Sequence, residues 1–172
     1  MRRKPLKDVS WTFSKMKVLI SSTLALLVVL GMSQVAFATS PVPFNGSSSG
    51  TFAFTSPTTA LLTATGDYSH LGETMFAGTS TITGGAACGG FAAVEQDTYT
   101  ASNGDKLLLS VTDTLCPTSN PNVFQLTGTF IVSGGDGRFS DASGSGTIQA
   151  SVTFTSQTSG TFLGTTAGTI SY

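Results

Sequence analysis

From residue 123 onward the chain alternates between two kinds of side chain with a period of two. Phe124, Leu126, Phe130 and Val132 fall on one parity, and Gln125, Thr127 and Thr129 on the other, with Ile131 the exception. The same holds further on, where Ile148, Ala150, Val152 and Phe154 alternate with Thr147, Gln149, Ser151 and Thr153. That period belongs to a strand with one buried and one wetted face. After residue 50 no segment carries a helical period. Short runs of Thr, Val, Phe and Ile are instead punctuated by Gly, Asn and Pro. They predict strands over 50–55, 61–66, 71–83, 91–101, 106–115, 123–133, 146–155 and 160–172. With no helix to cover a parallel sheet, the fold class is all-β. A closed antiparallel β-barrel of about eight strands removes every sheet edge, and a β-sandwich is the alternative. Burying roughly eight to ten inward side chains at about 2 kcal/mol each is adequate for one domain of this size.

One hairpin has a register that can be worked out from its turn. In "SNGD" (102–105), Asn103-Gly104 suits a two-residue type I′ turn, which pairs Ser102 with Asp105. Thr100, Thr98, Gln96 and Val94 then share a face with Leu107, Leu109, Val111 and Asp113, the expected core side. Glu95, Asp97 and Tyr99 fall on the opposite face, pointing outward. Cys88 and Cys116 lie near the open end of this hairpin, three residues out of strict pairing, a mismatch that a bulge at Gly89-Gly90 can absorb.

The N-terminus points to export. Arg2, Arg3, Lys4, Lys7, Lys15 and Lys17 precede the apolar run 18–30, and Ala36-Phe37-Ala38 comes after it as an A-x-A cleavage site. This is the pattern of a secretory signal peptide over 1–38. The run falls short of the roughly 20 residues of a spanning helix, so no membrane span is expected after cleavage. Arg2-Arg3 raises the Tat route, whereas a start at Met16 gives a well-formed Sec signal. A flexible lead-in over 39–49 and one barrel domain over 50–172 complete the organisation. Beyond residue 38 the cations are Lys106 and Arg138 against eight acids, a net charge of −6. Such a balance argues against nucleic-acid partners and against attachment to anionic lipid. The pair Cys88 and Cys116 is expected to form a disulfide in an exported chain, a metal pair being the alternative.

Chemistry-bearing residues are sparse. Glu95 and Asp97, with Tyr99, form a polar row that paired carboxylates could use for acid–base work or for holding a cation. The derived register makes it a solvated face instead. His70 and Glu73, in "DYSHLGETMF", are weak ligand-site candidates. A regular strand puts His70 on the inner face with Thr74, Phe76 and Ile82, as a hydrogen-bonded or barrel-mouth histidine. Asp136, with Asp141 nearby, is a weak candidate for a calcium turn. No catalytic, metal or cofactor set is expected.

"GGDGRFSDASGSGT" (134–147) separates two strongly patterned strands. The residues after it, 146–155, alternate like a strand, and the segment lacks the P-loop ending, which excludes a phosphate cradle. Gly134, Gly135, Gly137, Arg138, Phe139, Ala142, Gly144 and Gly146 match the G-G-x-G-R-F-x-x-A-x-G-x-G segment of certain exported bacterial proteins. "FIVSGGDGRFSDASGSGTI" thus resembles those proteins, which have the β-barrel of the allene oxide cyclase and dirigent type. "SHLGET" (69–74) and "SNGDKLLL" (102–109) are similar to recurrent pieces of that group, in the same order. Asp136, Ser140 and Asp141 depart from its usual residues. The resemblance implies a closed barrel of about eight strands whose apolar interior admits a small hydrophobic molecule. It carries over no catalytic residue. Phe139 is expected to plug one end of the barrel, and Arg138 to pair with Asp136 or Asp141 at the rim. Three functions are expected on these grounds. The first is a secreted non-enzymatic binding or surface module. The second is an isomerase or cyclase of the allene oxide cyclase type, and the third an oligomeric envelope or matrix component.

Overall fold

In a computed structural model the described residues are 40–172, and the expected signal peptide and its cleavage site lie outside them. Eight strands succeed one another in the order of the chain: β1 (Val42–Phe54), β2 (Thr59–Tyr68), β3 (Gly72–Gly85), β4 (Phe91–Ala101), β5 (Lys106–Pro117), β6 (Val123–Asp136), β7 (Ser143–Phe154) and β8 (Ser159–Ser171). Each pairs antiparallel with its neighbour, and β8 returns to β1 from Val42↔Ile170 to Ala53↔Ser159. The result is a closed barrel with no free edge, as expected, and the sandwich is excluded. β1 starts at Val42, so most of the lead-in expected over 39–49 is instead strand, held by both β2 and β8.

The β4–β5 hairpin corrects the predicted register. The Ala101 amide donates to the Asp105 carbonyl, and the Gly104 amide to the Ala101 carbonyl at 2.9 Å. The turn therefore holds three residues, Ser102 to Gly104, with Gly104 at φ +90°. A type I turn ending in a left-handed glycine is the usual three-residue solution. Tyr99 now pairs with Leu107, Asp97 with Leu109 and Glu95 with Val111. One added turn residue moves the whole of β4 to the other face. Glu95, Asp97 and Tyr99 are buried inside the barrel, whereas Val94 and Gln96 are exposed and Thr98 and Thr100 face outward with them. Asp113 keeps its expected inward position.

The barrel has two unlike ends. The end that carries the β2–β3, β4–β5 and β6–β7 connections is filled. Phe44 stacks on Tyr68 at 5.7 Å and meets Phe130 edge-on, and Tyr68 meets Tyr99 at 4.9 Å. The "GGDGRF" segment lies here as the end of β6 and a one-turn 3₁₀ helix, Gly137–Phe139. Phe139 is wholly buried and packs against Tyr172 at 4.8 Å, which makes it the expected plug. Gly137 has φ +66°, and a Cβ there would overlap the Asp105 carboxylate, so this position requires glycine. Arg138 pairs with neither acid expected of it. Its Nε lies 3.4 Å from Asp105, and its guanidinium donates to the His70 carbonyl. Asp136 pairs instead with Lys106, at 3.7 Å. Asp105 and Lys106 are brought alongside the glycine segment by the β5–β6 pairing, whereas His70 comes from the distant β2–β3 turn and reaches Arg138 only because the sheet curls into a barrel.

At the other end Cys88, in the β3–β4 turn, is bonded to Cys116 on β5, with Cα atoms 5.6 Å apart. With the register corrected, Cys116 stands level with Gly90. The tight turn at Ala86–Gly90, with Gly89 at φ +83°, makes up the remaining two-residue offset.

Candidate functional site

Between the filled end and the disulfide end the barrel encloses a cavity of about 630 Å³. Its size is set by the inward positions. Aromatic rings of Phe52, Phe76 and Phe162 form much of the wall, while Ser48, Ala60, Ala150 and Gly164 leave room beside them. Tyr68 and Tyr99 form the floor, being shared with the packed core below. An eight-stranded barrel is near the limit at which side chains alone can fill the interior, so a few small residues suffice to open a ligand-sized space.

The mouth is built from two copies of one short pattern. Phe54-Thr55-Ser56-Pro57-Thr58-Thr59 and Phe154-Thr155-Ser156-Gln157-Thr158-Ser159 join β1 to β2 and β7 to β8. Both turns have the same bonds: the amide of Thr55 or Thr155 donates to the carbonyl four residues on, and the Ser56 or Ser156 hydroxyl accepts from the amide two residues on. Phe54 on β1 and Phe154 on β7 flank β8 and stack at 6.5 Å on one side of the opening, and the exposed loop tips line the entrance. The repeat is written in the sequence as F-T-S-x-T, but its two copies lie a hundred residues apart, so nothing local in either marks them as partners.

Polar chemistry enters the cavity from β4. Glu95 and Asp97 line it and are 7% and 3% exposed, and Asp113 is buried beside them on β5. Gly78 on β3 pairs with Asp97, and Gly128 on β6 with Asp113. A Cβ at Gly78 would overlap the Asp97 carboxylate, and one at Gly128 would come 2.6 Å from the Asp113 Cβ. The two glycines thus make the space in which the acids sit. Asp97 Oδ1 and both carboxylate oxygens of Asp113 are buried without a hydrogen-bond partner. Loss of water holds the Glu95 carboxyl above the usual range, against a lowering hydrogen bond from Ser80. Burial raises Asp97 well above its ordinary value, with the Glu95 and Asp113 charges adding to the effect. Burial, with the Glu95 charge next, pushes Asp113 up to about 8. The Tyr99 phenol is raised well above its ordinary value by burial first, then by Tyr68 and Asp97.

The two ligand-site candidates of the sequence lie elsewhere. His70 is in the β2–β3 turn at the filled end, exposed and at φ +69°, and so not on the inner strand face expected for it. Thr74 and Phe76 do face inward. The Pro43 carbonyl can only accept, so His70 Nε2 donates to it at 3.1 Å, and Nδ1 accepts from the Tyr172 hydroxyl at 3.2 Å. His70 thereby ties the two chain ends of the barrel together. Glu73 is exposed on the outer face of β3, opposite Asp67. Neither lines the cavity. Among the described residues no three His, Cys, Asp or Glu side chains are grouped so as to hold a metal ion. No helix of the described residues is long and apolar enough to cross a membrane.

Sequence reasoning missed the carboxylates because it fixed the β4 face from an assumed turn type. A usable signal was present. Outward positions on the other strands are mostly Thr, Ser or Gln, so Thr98, Thr100 and Gln96 match the outside of the barrel.

No protein-family model, curated protein or solved structure matches the chain.

Proposed function

We propose that this is an exported, disulfide-stapled β-barrel that binds a small, largely apolar molecule inside the barrel, entering between the two F-T-S-x-T loops. The observation that carries this reading is the cavity of about 630 Å³, walled by phenylalanines and reaching the exposed loop tips. Its volume lies within the range of pockets that enclose small ligands. Export is supported by the basic, apolar and A-x-A segments of the N-terminus and by the Cys88–Cys116 bond, which suits an oxidising compartment. The resemblance to barrels of the allene oxide cyclase and dirigent type is consistent with the same use of the interior.

The test is native mass spectrometry of protein purified from its own secretion medium. A bound molecule released on denaturation is the expected result. The reading is overturned by empty protein that also fails to take up an apolar fluorophore such as pyrene.

A second reading, an isomerase or cyclase of the allene oxide cyclase type, is favoured by the acids at the cavity wall. Carboxyls whose proton affinity is raised by burial are suited to general-acid chemistry. Recovery of the released molecule unchanged after prolonged incubation with fresh protein favours the binder, and its conversion favours the enzyme.

A further inference from the structure

Resting on the binding reading, we infer that the molecule accepted by the barrel carries a protonated amine, which seats against Asp97 and Glu95 while its apolar body lies among the phenylalanines above.

Three acids on two adjacent strands, Glu95, Asp97 and Asp113, are buried together. Two of them line an open cavity, and one of these, Asp97, is 3% exposed and leaves Oδ1 without a partner. The groups facing them do not neutralise them. β2 contributes Tyr68, β3 contributes Ser80 and Gly78, β4 itself Tyr99, β6 Gly128 and β8 Thr166. All described basic side chains lie away from the cavity: Lys106 and Arg138 are in ion pairs at the filled end, and His70 is bonded to Pro43 and Tyr172. Buried acids are normally paired. Here the missing partner is a cation with several N–H donors, and an ammonium group supplies three. An anionic head group would oppose ionisation of the buried acids, and a hydroxyl offers one donor and no charge. The rest of the cavity wall is aromatic and aliphatic, which fits an amine on an apolar body.

Proton balance gives the inference a second signature. A carboxyl that holds its proton in the empty barrel must release it when the ammonium seats, so one H⁺ leaves for each carboxylate that ionises. Affinity for the amine therefore rises with pH through the raised titration range of the cluster, until the amine loses its own proton near pH 10.

The experiment uses pyrene uptake by the mature protein and its displacement by three molecules of equal chain length: octylamine, 1-octanol and octanoate. The expected result is a preference for octylamine over octanol of about tenfold or more at pH 8, shrinking towards parity at pH 5. Glu95→Gln/Asp97→Asn should lower that preference to under about threefold by weakening octylamine more than octanol. Should the double variant fail to fold by circular dichroism, the pH profile and the buffer-dependent heat of proton release in the parent protein decide the question. Pyrene uptake with equal displacement by all three, or with octanoate strongest, overturns the amine inference and leaves the cavity reading standing. Failure of pyrene and all three molecules to bind overturns both.

Discussion

Replacing Asp113 by asparagine should stabilise the protein at neutral pH and give no gain, or a small loss, in acid. Asp113 lies 3% exposed opposite Gly128, with neither carboxylate oxygen bonded. Its titration is raised from the ordinary 3.8 to about 8, by burial first and the Glu95 charge second. The folded protein thus binds a proton that the unfolded chain gives up near pH 4. Each pH unit between those points costs about 1.4 kcal/mol of stability, which is fully present below pH 4 and is lost as pH rises toward 8. At pH 7 the cost reaches about 4 kcal/mol. Asparagine keeps the shape and never ionises, but its amide brings two N–H donors that must find partners, which offsets part of the gain. A net stabilisation of about 2–3 kcal/mol is expected, or roughly 8–12 °C in Tm for a domain of this size. Thermal unfolding monitored by far-UV circular dichroism at pH 3.5 and pH 7, with the disulfide intact, measures it. The reasoning is refuted if Asp113→Asn melts no higher than the parent at pH 7, or gains equally at both pH values.

Three further outcomes are expected. Cys88→Ala/Cys116→Ala should lose roughly 3–4 kcal/mol, because the bond removes the freedom of a closed loop of about 29 residues from the unfolded chain; denaturant melts check this, and thiol titration of the parent should find no free cysteine. Phe139→Ala should cost about 3–5 kcal/mol, since a wholly buried ring leaves a cavity beside Tyr172; a loss under about 1 kcal/mol in urea unfolding would mean that the segment is not a plug. Gly104→Val should cost about 1–2 kcal/mol at φ +90°, whereas Arg138→Gln, in a half-exposed pair with Asp105, should cost less than about 1 kcal/mol; equal losses in parallel melts would contradict the assigned turn.

Strand existence was legible because a period of two is a local property. Phe124 to Val132 and Ile148 to Phe154 each carry a complete record of which face is buried, and β6 and β7 have the orientation expected of them. β4 lacks such a record. Its two faces, Ala93-Glu95-Asp97-Tyr99 and Val94-Gln96-Thr98-Thr100, differ little in hydrophobicity. Their assignment therefore rested on whether the Ser102–Asp105 turn has two residues or three. That choice is worth a fraction of the burial energy of the strand, and the rest of the barrel makes it. Leu107, Leu109 and Val111 face inward in either register, so the closed sheet selects the turn that lets Tyr99 pack on Tyr68 and Phe76.

The candidate site was less legible still, because it belongs to no single segment. The chain alone determined an all-β fold of about eight strands, with barrel or sandwich still open, a cysteine pair expected to bond and a glycine segment between two strands; closure into a barrel came from the tertiary structure. Tertiary structure alone decided that Glu95 and Asp97 turn inward, that Gly78 and Gly128 make room for Asp97 and Asp113, and that Arg138 reaches Asp105 rather than Asp136. Alternation and turn glycines are written within a few residues of one another, and a sequence displays them directly. A cavity is the space left by small side chains on strands far apart in the chain, and it exists only once β8 has closed on β1.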